Sequence, residues 1–97
     1  MISVKLHVRG SERLLAACDA ELLGMTFSDG DMRLKVSKIF YGGETVSEEA
    51  FRERMKSVTV MNLVGEHAVT IAQQEGYVSE NAVIVIGGVK HAQAAVM

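Results

Sequence analysis

Cys18, Asp19 and His91 are the residue types from which a nucleophile, an acid and a base are assembled. A thiol attacks as its thiolate, which a nearby histidine or a helix N-terminus favours. Cys18, however, ends the run Leu14-Leu15-Ala16-Ala17-Cys18. In such a run a free cysteine behaves as a small hydrophobe. It is expected to be buried and slow to react, and no catalytic residue is assigned. His91 has a more open setting. It follows Gly87-Gly88, where the β-branched run Val83-Ile84-Val85-Ile86 stops. There it could meet a ligand or act as a base near neutral pH, or its ring nitrogens could bond backbone carbonyls near the bend.

A second pair, Gly42-Gly43, follows Phe40-Tyr41 in the same way. Glycine takes backbone shapes closed to other residues and lets a backbone or ligand approach closely. The repetition predicts one surface uniting Phe40 to Glu44 with Gly87 to His91. One of the two aromatics is expected in the core and the other beside the glycines. Asn62, before Leu63-Val64-Gly65, reads as the cap of a helix whose free N–H groups could hold a phosphate or carboxylate. The candidate ligand-binding residues are therefore His91, Gly87, Gly88, Gly42, Gly43, Tyr41 and Asn62. Neither glycine pair has the spacing of a phosphate-binding loop or a dinucleotide fingerprint. The three histidines and one cysteine show no ligand spacing, so neither a metal nor a cofactor is expected. His67 falls with Thr70 and Gln74 on an outer helix face and reads as solvated.

Lys5, His7 and Arg9 alternate along one strand, and Arg33 and Lys35 along another. If the two strands share a sheet, the five make a basic face able to meet phosphates. Lys5, Arg9, Arg33 and Lys35 are then the candidate RNA contacts. No stacking aromatic interleaves them, so an ordinary solvated sheet face explains them as well.

The elements that must position these residues follow from periodicity. Val4, Leu6 and Val8 alternate in a half-buried strand. After the turn Gly10-Ser11-Glu12, the run Leu14 to Cys18 reads as a strand buried on both faces, forming a hairpin with the first. Asp29-Gly30 is a turn before a third strand, Met32 to Val36. Ser47 caps a helix over about 48–57. Residues 58–61 form a short strand, and a second helix runs 63–75, closed by Gly76. Residues 83–86 and 89–96 are the last strands. If the strands at 58–61 and 83–86 pair in parallel, their connection is a right-handed crossover. The expected fold is a single α+β domain over residues 1–97, a two-layer sandwich of a mixed, mostly antiparallel sheet with two helices.

Composition bounds the rest. Ninety-seven residues with 48% apolar side chains suit one modest core. A formal charge of −2 gives no bulk attraction to nucleic acid or acidic membranes. One cysteine permits no internal disulfide, and no apolar run approaches a membrane span. A cytoplasmic, membrane-free protein is expected.

Four segments together resemble a known family. They are Ala17-Cys18-Asp19-Ala20-Glu21-Leu22-Leu23-Gly24, Phe40-Tyr41-Gly42-Gly43-Glu44, Asn62-Leu63-Val64-Gly65 and Ile86-Gly87-Gly88-Val89-Lys90-His91-Ala92-Gln93. In this order the chain resembles the archaeal domain-of-unknown-function family numbered four-two-four, departing from it with Lys90 where proline is usual. The resemblance implies archaeal origin, a cytosolic setting and a compact α+β fold. The family's company with translation genes points, by association, to RNA or a translation-related protein as partner. The reading is a non-catalytic binding module. The alternatives are a small enzyme with a pocket near His91 and the glycine bends, or a structural subunit that self-associates into a homo-oligomer.

Overall fold

The computed structural model describes residues 1–96. Strands β1 (Ile2–Arg9) and β2 (Glu12–Asp19) form the expected hairpin, joined at Gly10-Ser11 with Arg9 opposite Glu12. Alternation splits the apolar run of β2 between the two faces of the sheet. Leu15 and Ala17 enter one core, Ala16 and Cys18 the other. That is why the run is continuous.

The strand expected after Asp29-Gly30 forms, but outside the main sheet. β3 (Thr26–Asp29) and β4 (Met32–Lys35) pair only with each other, as a separate two-stranded sheet. Leu34 and Val36 pack onto a face of the larger sheet instead of extending it. A short helix the sequence reading lacks, α1 (Lys38–Tyr41), follows at once. Ser37 Oγ accepts the N–H groups of Ile39 and Phe40 and starts it. After β5 (Glu44–Val46), Ser47 caps α2 (Glu48–Met55) as expected, its Oγ accepting from Ala50 N–H.

Asn62 caps no helix. It lies within β6 (Val60–Val64), and α3 (Glu66–Gln74) begins only after Gly65. Gly76, at φ +84, ends that helix as expected. β7 (Ile84–Ile86) and β8 (Val89–Ala95) form a hairpin whose two-residue turn is Gly87-Gly88, both at positive φ. Tight turns of this kind need glycine or asparagine at the centre.

The main sheet runs β5-β1-β2-β6-β8-β7. Every neighbouring pair is antiparallel except β2 with β6. β6 and β7 do not pair, so the condition for a parallel crossover between them is not met; β8 lies between them. The α+β class stands, with three helices. Helices α2 and α3 cover one face, packing Phe51, Met55, Ala68 and Val69 on Ile2, Val4, Met61 and Leu63. The other face carries α1 over β1 and β2, and the β3–β4 hairpin beside β7, so both faces of the sheet are covered in part. Among the described residues no helix is long and apolar enough to cross a membrane.

Candidate functional site

The parallel pair sets the site. β2 and β6 end side by side, Cys18 beside Val64, and the chain turns from β6 directly into α3. Asp19, the last residue of β2, meets the start of that helix. Its Oδ1 accepts Ala68 N–H at 2.8 Å and its Oδ2 accepts His67 N–H at 3.0 Å. A carboxylate on the first-turn N–H groups satisfies donors that no helical carbonyl reaches and sits at the positive end of the helix. Asp19 is only 4% exposed. Gly65 makes this approach possible. It sits at φ +111, and a Cβ on it would strike the Asp19 carboxylate. The helix start that could have held an external anion is thus already filled by a carboxylate of the chain itself.

A cleft of about 260 Å³ opens over this junction. Asp19, Glu21 and Leu22 form one wall, Glu66 and His67 another, and the Gly88–Lys90 turn the third. His67 Nδ1 lies 3.3 Å from Asp19 Oδ2, and Lys90 Nζ lies 3.1 Å from Glu66 Oε2. Asp19, Glu21 and His67 each bring one ligand atom within 4.8 Å of the others. Two carboxylates and an imidazole are a donor set for divalent transition metals. Of the cleft residues, the sequence reading proposed Gly88 and weighed Asp19 as an acid beside Cys18. Nothing in the sequence points to Glu21, Glu66 or Lys90 as site residues, and His67 reads there as solvated. His67 is indeed exposed, but at the first turn of α3, where it meets Asp19. No local signal reveals that meeting, because 48 positions separate the two residues.

Cys18 is fully buried, as its apolar run suggests, in the core on the α1 side of the sheet. Burial pushes its thiol up to about 12, and the Asp19 and Glu21 charges act in the same direction. It stays a neutral thiol at physiological pH. His91 Nδ1 lies 2.9 Å from the Leu63 carbonyl, so that nitrogen carries the proton and donates it. Tyr41 is the aromatic that enters the core. Its hydroxyl donates to Asn62 Oδ1 at 2.6 Å, and burial pushes its phenol up to about 12. Phe40 stays half-buried, stacked on the His7 ring at 4.6 Å.

Tyr41, Asn62 and His91 share the α1 side of the sheet, since Asn62 alternates with Val64 and Val64 pairs with His91. The glycine pairs do not join them in one surface. Gly43 leads into β5 and Gly87-Gly88 closes β7–β8, at opposite edges of the six strands. Each makes a close approach, but to a different neighbour. A Cβ on Gly43 would strike the Val4 carbonyl, and one on Gly87 would come within 3.1 Å of Phe27 and Ser28. The expected basic face also divides. Lys5 and Arg9 stand on β1, whereas Arg33 and Lys35 stand on β4 in the other sheet. Lys5 Nζ donates to the Ile39 carbonyl at 2.8 Å, and His7 Nε2 lies 2.8 Å from the Phe40 carbonyl. These two side chains tether α1 to the sheet.

A family profile described as "Protein of unknown function (DUF424)" matches residues 7–97. Among solved structures, the chain is similar to an uncharacterized conserved protein from Methanopyrus kandleri, at 26% identity and a TM-score of 0.83. The similarity covers 99% of this chain and 91% of that one. No curated protein matches the chain.

Proposed function

The chain belongs to the DUF424 family of proteins of unknown function, and from its own geometry we propose that it is a non-catalytic binding module that takes a divalent metal ion in the cleft at the ends of β2 and β6. The observation that carries this reading is the convergence of Asp19, Glu21 and His67, with ligand atoms within 4.8 Å at an open cleft. Asp19 is held in place by two helix N–H groups, so the first ligand is preorganised. Glu21 and His67 are exposed and free to close on the ion. The reading is non-catalytic because the Cys18 thiol, the nucleophile that the sequence offers, lies fully buried in the core and lines no part of the cleft. A single buried thiol without a disulfide partner suits the cytoplasm. RNA, the partner suggested by the basic strands, has less support. Its four cations stand on two separate sheets.

Titration calorimetry with Zn²⁺ and with Mn²⁺ tests the proposal. One ion per chain is expected, with a rise in melting temperature as metal is added. Glu21→Gln and His67→Ala lie on the surface and should each weaken binding at least tenfold while leaving the metal-free melt unchanged. Absence of binding at millimolar metal, or binding indifferent to both changes, overturns it.

A further inference from the structure

β1 is longer than the strand that covers it. It pairs with β2 along its whole length, to Arg9 opposite Glu12, but β5 covers only Ile2, Ser3 and Val4. From Lys5 onward β1 is an edge. The two-residue turn at Gly10-Ser11 makes Arg9 and Glu12 the last hydrogen-bonded pair, and the pattern alternates from there. The backbone groups of Arg9, His7 and Lys5 therefore turn to β2, and those of Val8 and Leu6 turn outward. The position of Gly43 agrees, because it packs against the carbonyl of Val4, which has the same parity. Among the described residues no other strand or loop takes the N–H and C=O groups of Leu6 and Val8.

The side chains beside this edge have a pattern. Leu6 is 42% and Val8 59% exposed, large values for apolar residues in a paired strand. Lys5, His7 and Arg9 lie on the opposite face. Across the hairpin, Lys5 meets Ala16 and His7 meets Leu14, so neither has an acid opposite it, and only Arg9 faces Glu12. The tethers to Ile39 and Phe40 hold Lys5 and His7 in place.

A strand added here would gain four backbone hydrogen-bonding groups, with alternate side chains read on the two faces. A second copy of β1 is a poor occupant. Antiparallel pairing of two such edges about His7 sets Lys5 of each copy against Arg9 of the other, and like charges directly opposite destabilise a sheet. We propose that the open edge of β1 at Leu6–Val8 docks an extended segment of a partner protein, with acidic residues beside Lys5, His7 and Arg9 and apolar residues beside Leu6 and Val8. The proposal is independent of the metal cleft and goes beyond it.

The probe is a capped hexapeptide alternating glutamate and valine, with a lysine–valine hexapeptide as control, followed by amide hydrogen exchange and NMR shifts on the intact chain. Saturable binding of the acidic peptide is expected, with slowed exchange at Leu6 and Val8 and at least tenfold weaker binding of the lysine peptide. Val8→Pro removes one edge donor and should weaken binding at least tenfold. Val8→Glu, at an exposed position, should do the same by setting a charge against the peptide's valines, if the proline variant fails to fold. Equal binding of the two peptides, no binding at millimolar peptide, or binding unchanged in the folded variants overturns the proposal. So does protection of Leu6 and Val8 that grows with protein concentration alone, which assigns the edge to a second copy. Binding of oligouridylate that the acidic peptide cannot displace, and that Lys5→Ser and Arg9→Ser weaken, overturns it in favour of RNA.

Discussion

The Tyr41 hydroxyl and the Asn62 side-chain oxygen are joined at 2.6 Å across 21 positions of sequence, tying α1 to the centre of the main sheet. Tyr41 is buried, and its main-chain carbonyl also accepts the Ser3 hydroxyl at 2.9 Å. One residue therefore links the short helix to β1 and β6 together. Tyr41→Phe keeps the ring and removes the donor, leaving Asn62 Oδ1 in a half-buried setting. A loss of about 1–2 kcal/mol is expected in urea unfolding, with the slope unchanged. A variant as stable as the parent would show that water replaces the hydroxyl without cost.

Alkaline pH should unfold the protein through two groups on this side of the sheet. The Cys18 thiol is raised from 9.0 to about 12, and the Tyr41 phenol from 10.0 to about 12, both chiefly by burial. Each group binds its proton more tightly folded than unfolded. Their stabilising contribution is complete below pH 9, falls as pH rises above the unfolded values, and is lost by about pH 12. Each unit of difference corresponds to about 1.4 kcal/mol at most. Cys18→Ala should flatten the stability profile between pH 9 and 12. A parent profile already flat there contradicts the account.

Cys18 should react with a thiol reagent only when the protein opens. At neutral pH the rate should follow unfolding, rising with urea and staying far below that of a free thiol. Rapid labelling of the native protein would return Cys18 to the list of nucleophiles.

Asp19 and Gly65 should behave as a coupled pair. Asp19→Ala removes the acceptor for two helix N–H groups and should cost about 1–3 kcal/mol. Gly65→Ala adds a side chain at φ +111 and against the carboxylate, and should cost more than about 1 kcal/mol. In the double variant the collision is gone but the backbone strain stays, so the two losses should sum to more than the measured total. Strict additivity would show that the helix shifts to make room.

The legible parts of the fold were those whose signal is local. The alternation of β1, the doubly buried run of β2, the Ser47 cap and the strands around Gly87-Gly88 needed only neighbouring residues. The rest depends on distant ones. Asn62 looks like a cap because an amide among apolar residues has no local partner, yet its partner is Tyr41. The cap of α3 comes from Asp19, 49 positions before Ala68. β4 has the alternation of a sheet strand, but periodicity does not name its partner. Of the proposed site, Asp19 drew notice for a nearby thiol that faces away from it. His67 and Glu21 carry no motif and meet only through the parallel pairing of β2 and β6.

That pairing also orders the assembly of the chain. The hairpins β1–β2 and β7–β8 close over two-residue turns and can form early. The seam between β2 and β6 joins Leu14 to Val60 and is flanked by Arg13 and Thr59, 46 positions apart. Everything from β3 to α2 is the loop that this closure must confine. During synthesis the first hairpin therefore waits, with Ala16 and Cys18 on one side and Leu15 and Ala17 on the other, until β6 has emerged. The Asp19 grip on α3, at the end of the seam, can form only afterwards, so the cleft is among the last features to appear.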